Sequence, residues 1–150
     1  MNESERRYVE SARVARLATV DPDGRPHAVP ICFALVGERV VSALDGKPET
    51  VEPNEYRRLR NVEATPAVTV LVDHYTEDWD RLGWVQLRGR ASVIAPDEPN
   101  HPDGLAALRE KYEQYHEHAL SGRPVIEVRI GSVRSWGDLD PGATGRPTSG

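Results

Sequence analysis

Short apolar stretches separated by turn-forming residues recur along the chain and predict a protein built mainly of β-strands. Between residues 26 and 36, large side chains occupy odd positions and small ones occupy even positions, which suits a strand in a closed barrel. Because proline cannot donate to a strand ladder, Pro30 predicts a bulge or a sheet edge within this strand. The predicted strands cover residues 14–20, 26–36, 39–44, 68–73, 83–95 and 125–130, and Trp136 could belong to an extension of the last.

Apolar residues at helical spacing predict three helices. The first covers residues 3–13, and the second covers residues 55–62 with Asn54 as its N-cap. The third follows Pro102 and has its apolar stripe at Leu105, Leu108, Tyr112, Tyr115 and Ala119. The pattern therefore predicts a mainly β fold of the α+β class, with about six antiparallel strands in a small barrel and three peripheral helices.

Length, charge and cysteine content narrow the class of protein. A chain of 150 residues is long enough for one domain, which we assign to residues 1–137, and the Gly- and Pro-rich residues 138–150 predict a disordered tail. The net charge of −5 disfavours nucleic acid and anionic membranes as partners. No apolar run could span a bilayer, and the charged N-terminus does not resemble a signal peptide. Together with the single cysteine, Cys32, these features predict a cytoplasmic protein.

No catalytic side chain or metal site is predicted from motifs. The five histidines have no zinc-binding spacing, and Cys32 is interpreted as a buried small apolar residue. The sequence also lacks a serine–histidine–aspartate signature, a P-loop and a dinucleotide-binding glycine motif.

Basic residues cluster in one part of this acidic chain. Lys47 lies in the loop Asp45-Gly46-Lys47-Pro48, and the second helix carries Arg57, Arg58 and Arg60. Lysine beside glycine can bind phosphate, because the glycine leaves backbone N–H groups open to an anion. A solvated turn lysine and a solvated helix face are the alternative interpretations of the same residues.

Several segments, taken in order, resemble the split β-barrel superfamily of pyridoxamine phosphate oxidase-like flavoproteins. The closer resemblance is to its deazaflavin branch, the F420-dependent oxidoreductases. The resemblance implies an FMN-binding-like split β-barrel. The segments that carry it are residues 15–27, Asp45-Gly46-Lys47-Pro48, Leu59-Arg60-Asn61-Val62 through Pro66, Asp73-His74-Tyr75 and Asp78-Trp79.

The resemblance also implies which residues bind the cofactor. The cofactor ring would lie on the strand backbone at residues 29–31, beside a strand contact at residues 42 and 43, and the phosphate and acidic tail would meet Lys47 and Arg60. One departure from the family is Glu49, at a position where relatives often carry a second basic residue. The implied set is Val29, Pro30, Ile31, Ser42, Ala43, Lys47, Arg60, Asn61, Trp79 and Trp84.

These residues lead to one leading function and two alternatives. The leading function is an oxidoreductase that uses coenzyme F420 to transfer a hydride to or from a small organic substrate. The alternatives are an FMN-dependent oxidoreductase of the same superfamily and a non-catalytic protein that carries F420. We further expect a homodimer with the cofactor at the subunit interface. Trp84 would reach the cofactor of the neighbouring subunit. The alternative role for Trp79 and Trp84 is packing in the core or at the dimer contact.

Overall fold

The computed structural model describes residues 1–43, 53–116 and 120–140, and of residues 53–56 it describes the backbone alone. A curled, seven-stranded antiparallel sheet forms the body, in the order β2-β1-β5-β6-β7-β4-β3. The mainly β split-barrel fold expected from the sequence is thereby confirmed. The strands are β1 Ala15–Val20, β2 Pro26–Ile31, β3 Ala34–Val36, β4 Arg39–Ala43, β5 Ala67–His74, β6 Gly83–Ile94 and β7 Val125–Gly137.

Three α-helices accompany the sheet: α1 Glu3–Ser11, α2 Pro53–Ala64 and α3 His101–Lys111. Asn2 begins α1 with a capping box, because its side chain accepts from the Glu5 amide while the Glu5 side chain accepts from the Asn2 amide. The second helix begins earlier than predicted, so Asn54 lies inside its first turn and is not the N-cap. The predicted third helix ends at Lys111, and a short 3-10 turn follows at Glu113–His116, so Tyr115 lies beyond the helix; Ala119 is outside the described residues.

The predicted strand over residues 26–36 is two strands, and this raises the count from about six to seven. The Phe33 amide donates to the Tyr112 hydroxyl at 3.1 Å, so it is withdrawn from any strand ladder. Pro30 lies in β2 at one end of the strand order, and the β1–β2 register is continuous past it. The prediction that Pro30 lies at a sheet edge is therefore confirmed. The alternative, a bulge at Pro30, is wrong, and a different register shift lies between Arg88 and Gly89.

The strand register separates an inner face from an outer face. The residues aligned across the strands on the inner face are Val29, Leu17, Val70, Leu87 and Val133, all of them in the apolar core or packed against it. One row on the outer face holds Pro30, Arg16, Leu71, Gln86 and Arg134. Cys32, expected to be buried, is half-buried and unpaired.

The amine of Lys111 lies against aromatic rings where α3 ends. Its Nζ is 3.7 Å from the centroid of the Phe33 ring and 5.4 Å from that of Tyr112. This nitrogen is inaccessible to solvent and has no hydrogen-bond partner among the described residues. Burial and then the Arg13 guanidinium lower the pKa of Lys111 to about 8.

We expect Lys111→Met to raise the free energy of unfolding at pH 7 by about 1 kcal/mol, because burial of the ammonium group is only partly offset by its attraction to the Phe33 ring. The folded-state pKa is below the ordinary value of 10.5, so the cost is complete below pH 8 and vanishes as pH rises towards 10.5. Urea unfolding at pH 7 and pH 9.5 checks this. An equal advantage of the methionine variant at both values would contradict it.

Candidate functional site

A pocket of about 110 Å³ lies between the β1–β2 hairpin and α2. We call it the hairpin pocket. Two arginines and a buried amide reach it from α2, and the strands supply a hydroxyl and an imidazole. Its lining residues are Thr19, His27, Ala28, Val29, Arg57, Arg58 and Asn61.

Helix α2 fixes the polar wall of the hairpin pocket. Asn61 and Val62 are buried at 2% and 1% exposure, so this turn of the helix faces the barrel. The Asn61 Nδ2 donates to the Thr19 Oγ1 at 3.0 Å, which joins the helix to β1 inside the protein. Arg57 and Arg58 precede Asn61 by one turn of helix and bring positive charge to the lining of the pocket.

The turn before β2 fixes the imidazole. His27 Nε2 lies 3.4 Å from Asp21 Oδ2, and Asp21 Oδ1 accepts the amides of Asp23 and Arg25 at 2.9 Å each. The hydrogen bond from the Arg25 amide, and then that from His27, lowers the pKa of the Asp21 carboxyl, which remains ionised at neutral pH. Gly24 completes this turn at a φ of +84°, a value that glycine adopts without strain.

The resemblance implies a set of cofactor-binding residues, and the structure brings some of them together and separates others. Val29 and Asn61 line the hairpin pocket, whereas Arg60 is exposed and does not line it. Ile31 is buried in the core, and Pro30 is exposed on the outer face. Lys47 and Glu49 lie outside the described residues.

Two further expected residues lie where β4 approaches the end of β2. Ser42 and Ala43 are buried, at 5% and 7% exposure. Ser42 Oγ donates to the Cys32 carbonyl at 2.8 Å, so β4 is attached to the segment that follows Ile31. This contact brings Ser42 near the end of the strand on which the cofactor ring was expected to lie.

The expected tryptophans occupy a different surface from the hairpin pocket. Trp84 is aligned with Asp73 and Trp136 on the neighbouring strands, and paired residues of an antiparallel sheet share a face. In the segment between β5 and β6, Trp79 Nε1 donates to the Tyr75 hydroxyl at 3.3 Å. We call Tyr75, Trp79, Trp84 and Trp136 the aromatic surface; Trp84 is half-buried, and the other three are 67%, 69% and 53% exposed.

Sequence reasoning missed the strand side of the hairpin pocket. Thr19 and His27 are direct neighbours across the β1–β2 ladder, and both lie at inward positions of the alternation. The alternation therefore carried a signal for them, since a threonine and a histidine there interrupt an apolar row. The role of Asp21 had no such signal, because its contact with His27 depends on the conformation of the turn.

A larger groove of about 760 Å³ lies between α1, the start of β1 and the end of β5. Arg7, Arg13 and Arg16 line it, but so do Glu10, Asp73 and Asp140. Arg16 Nη1 is paired with Asp73 Oδ1 at 3.1 Å. The charges of this groove balance, so it has no evident preference for an anion.

Two negative findings apply to the described residues. No group of three or more histidine, cysteine, aspartate or glutamate residues is placed to hold a metal ion. None of the described helices has the length and apolar character needed to cross a bilayer.

A family model described as pyridoxamine 5'-phosphate oxidase matches residues 1–137. No curated protein matches the sequence. A conserved hypothetical protein from Mycobacterium tuberculosis superposes with a TM-score of 0.72 at 22% identity, covering 100% of this chain and 92% of its own.

Two other solved structures carry functional names. HutZ, a heme storage protein from Vibrio cholerae, has a TM-score of 0.68 at 17% identity over 87% of this chain and 89% of its own. A protein named F420 reductase has a TM-score of 0.62 at 24% identity over 89% of this chain and 98% of its own. At these identities, the likeness shows the fold alone.

Proposed function

The chain belongs to the pyridoxamine 5'-phosphate oxidase family, and on that premise we propose that it binds a flavin-type cofactor and acts as an F420-dependent oxidoreductase on a small organic substrate. The bound deazaflavin would supply or accept the hydride. The protein would supply binding, orientation and electrostatics, so no catalytic side chain is required.

The hairpin pocket is the observation that carries this proposal. It combines the positive charge of Arg57 and Arg58 with the buried amide of Asn61, and its volume of about 110 Å³ suits an anionic group rather than a whole ring system. Guanidinium groups bind phosphate oxygens through directed, charge-assisted hydrogen bonds. These residues therefore fit the anionic part of a phosphorylated cofactor, with Val29 in the wall and the ring extending beyond the pocket.

The choice between F420 and FMN depends on how far the cofactor's negative charge extends. F420 carries a phosphodiester and a glutamate tail, whereas FMN carries one phosphate monoester. Arg60 is exposed on α2 beyond the arginines of the pocket, where it can meet an extended acidic tail. Glu49 adds one opposing charge, but exposed pairs are each worth only about 0.2–1 kcal/mol, so three arginines outweigh it.

We expect F420 to bind more tightly than FMN, with a margin that grows as salt is lowered because screening weakens. Fluorescence titration of the protein with each cofactor at two salt concentrations measures this margin. Tighter binding of FMN at both concentrations would replace the deazaflavin mechanism with the flavin one.

We expect Lys47→Ala to weaken F420 binding by about 1.5–3 kcal/mol, the range for a hydrogen bond to a charged group. The loss should diminish at high salt, and folding should be nearly unaffected because the sequence predicts Lys47 in a polar loop. Fluorescence titration gives the dissociation constant, and urea unfolding controls for stability. An unchanged dissociation constant would favour the solvated-turn interpretation of Lys47.

A carrier protein without a physiological substrate would bind F420 through the same residues. Turnover distinguishes the two, since an oxidoreductase oxidises reduced F420 in the presence of suitable acceptors, whereas a carrier leaves it reduced. Titration with heme belongs in the same experiment, because one structural relative is named a heme storage protein. Tight heme binding without F420 binding would contradict the proposal.

A further inference from the structure

The hairpin pocket contains a titratable side chain, that of His27, which has no role in the proposed function. His27 is half-buried on β2, with 26% of its side chain exposed, and it lines the pocket together with Arg57 and Arg58. Its Nε2 atom faces the Asp21 carboxylate at 3.4 Å. Thr19, its neighbour across the ladder, is uncharged and is held by Asn61.

The charged groups around His27 determine how an entering anion would affect the imidazole. Asp21 is the acidic group in contact with the ring, and its other oxygen is already held by the Asp23 and Arg25 amides. Among the described residues, the basic groups that line the pocket are the two arginines of α2. Imidazole is the side chain whose charge ordinarily changes between pH 5 and pH 8, and an anion that enters beside it favours the imidazolium form.

We propose that His27 is an anion-binding residue that takes up a proton when an oxyanion enters the hairpin pocket. This inference rests on the proposed function, which makes the pocket an anion site. Asp21 orients the ring through Nε2, and Arg57 and Arg58 bind the anion from the opposite wall. The proton comes from solvent and resides on the imidazole, and no covalent bond is formed. Affinity for the anion is thereby linked to pH.

Sulfate is the probe for this linkage, because it keeps two negative charges between pH 6 and pH 8 and does not depend on which cofactor is bound. Calorimetric titration of the whole protein at fixed ionic strength should give about tenfold tighter binding at pH 6 than at pH 8, on the order of one added charged hydrogen bond in a partly exposed site. His27→Gln should bind sulfate equally at both pH values, near the wild-type affinity at pH 8. Histidine ring resonances should show His27 protonating at higher pH when sulfate is present.

Two control variants separate this inference from the proposal on which it rests. His116→Gln removes an exposed histidine bonded to the Arg109 carbonyl, outside the pocket, and should keep the wild-type pH dependence. Arg57→Ala combined with Arg58→Ala should abolish sulfate binding at both pH values. Loss in the arginine variant, together with an unchanged pH dependence in His27→Gln, would overturn the role of His27 alone. Wild-type sulfate binding in the arginine variant would overturn the anion site itself.

Discussion

Gly89→Ala should lower the free energy of unfolding by about 2–4 kcal/mol, although it adds a single methyl group. The register between β6 and β7 shifts at Arg88/Gly89, and the β7 backbone lies close against Gly89. A Cβ at this position would overlap the Arg129 carbonyl oxygen and lie 3.1 Å from the Val128 Cγ1. Because the overlapping atom belongs to the backbone, relief requires the two longest strands to separate and weaken their hydrogen bonds.

Gly131→Ala is the matched control on the opposite strand of the same bulge. The nearest atom to a Cβ at Gly131 is the Arg88 carbonyl oxygen at 3.5 Å, an ordinary contact. Its stability should remain within about 0.5 kcal/mol of the wild type. Equilibrium urea unfolding of the three proteins compares the two glycines directly, and a Gly89→Ala variant as stable as the wild type would show that the bulge tolerates a side chain.

Local signals predicted the hairpins and the long strands well. The Asp21–Gly24 turn specifies its hairpin through a proline and a glycine, and the β1 and β2 residues then alternate between faces as the sequence indicates. The break after Ile31 was not predictable in the same way. It depends on the Tyr112 hydroxyl, which is 79 positions away in the chain and meets the Phe33 amide only when α3 packs on the barrel.

In the candidate site too, the local sequence predicted some features, and contacts between residues distant in the chain determined the others. The arginine-rich sequence of α2 indicated an anion-binding helix, but the side of the helix that faces the barrel was set by the packing of Asn61 against Thr19. That contact places Arg57 and Arg58 at the hairpin pocket and leaves Arg60 exposed beyond it. The sequence therefore predicted the type of site and its helix, whereas tertiary packing decided which arginines line the pocket.

We propose that the protein is a homodimer whose subunits meet at the aromatic surface. Trp136, which pairs with Trp84 on the outer face of the sheet, exposes 53% of its area, and Trp79, in the turn before β6, exposes 69%. Exposed aromatic residues of this kind are typical of an interaction site. The expected role of Trp84 requires the neighbouring subunit, because this residue lies on the outer face, away from the hairpin pocket of its own chain. A second copy of the chain is therefore the occupant we propose.

Trp136→Ala should weaken self-association by about 2–4 kcal/mol, since buried tryptophans are among the residues that contribute most to interfaces. The corresponding dissociation constant rises roughly 30- to 1000-fold, with little effect on folding because Trp136 is half exposed in the single chain. Val14→Ala is the control, because Val14 is 43% exposed, lines the groove beside α1 and is not one of the four residues of the aromatic surface. Sedimentation equilibrium across micromolar concentrations, with and without F420, measures both variants. A wild-type monomer that still binds F420 would contradict the shared site, and unchanged self-association of Trp136→Ala would place the interface elsewhere.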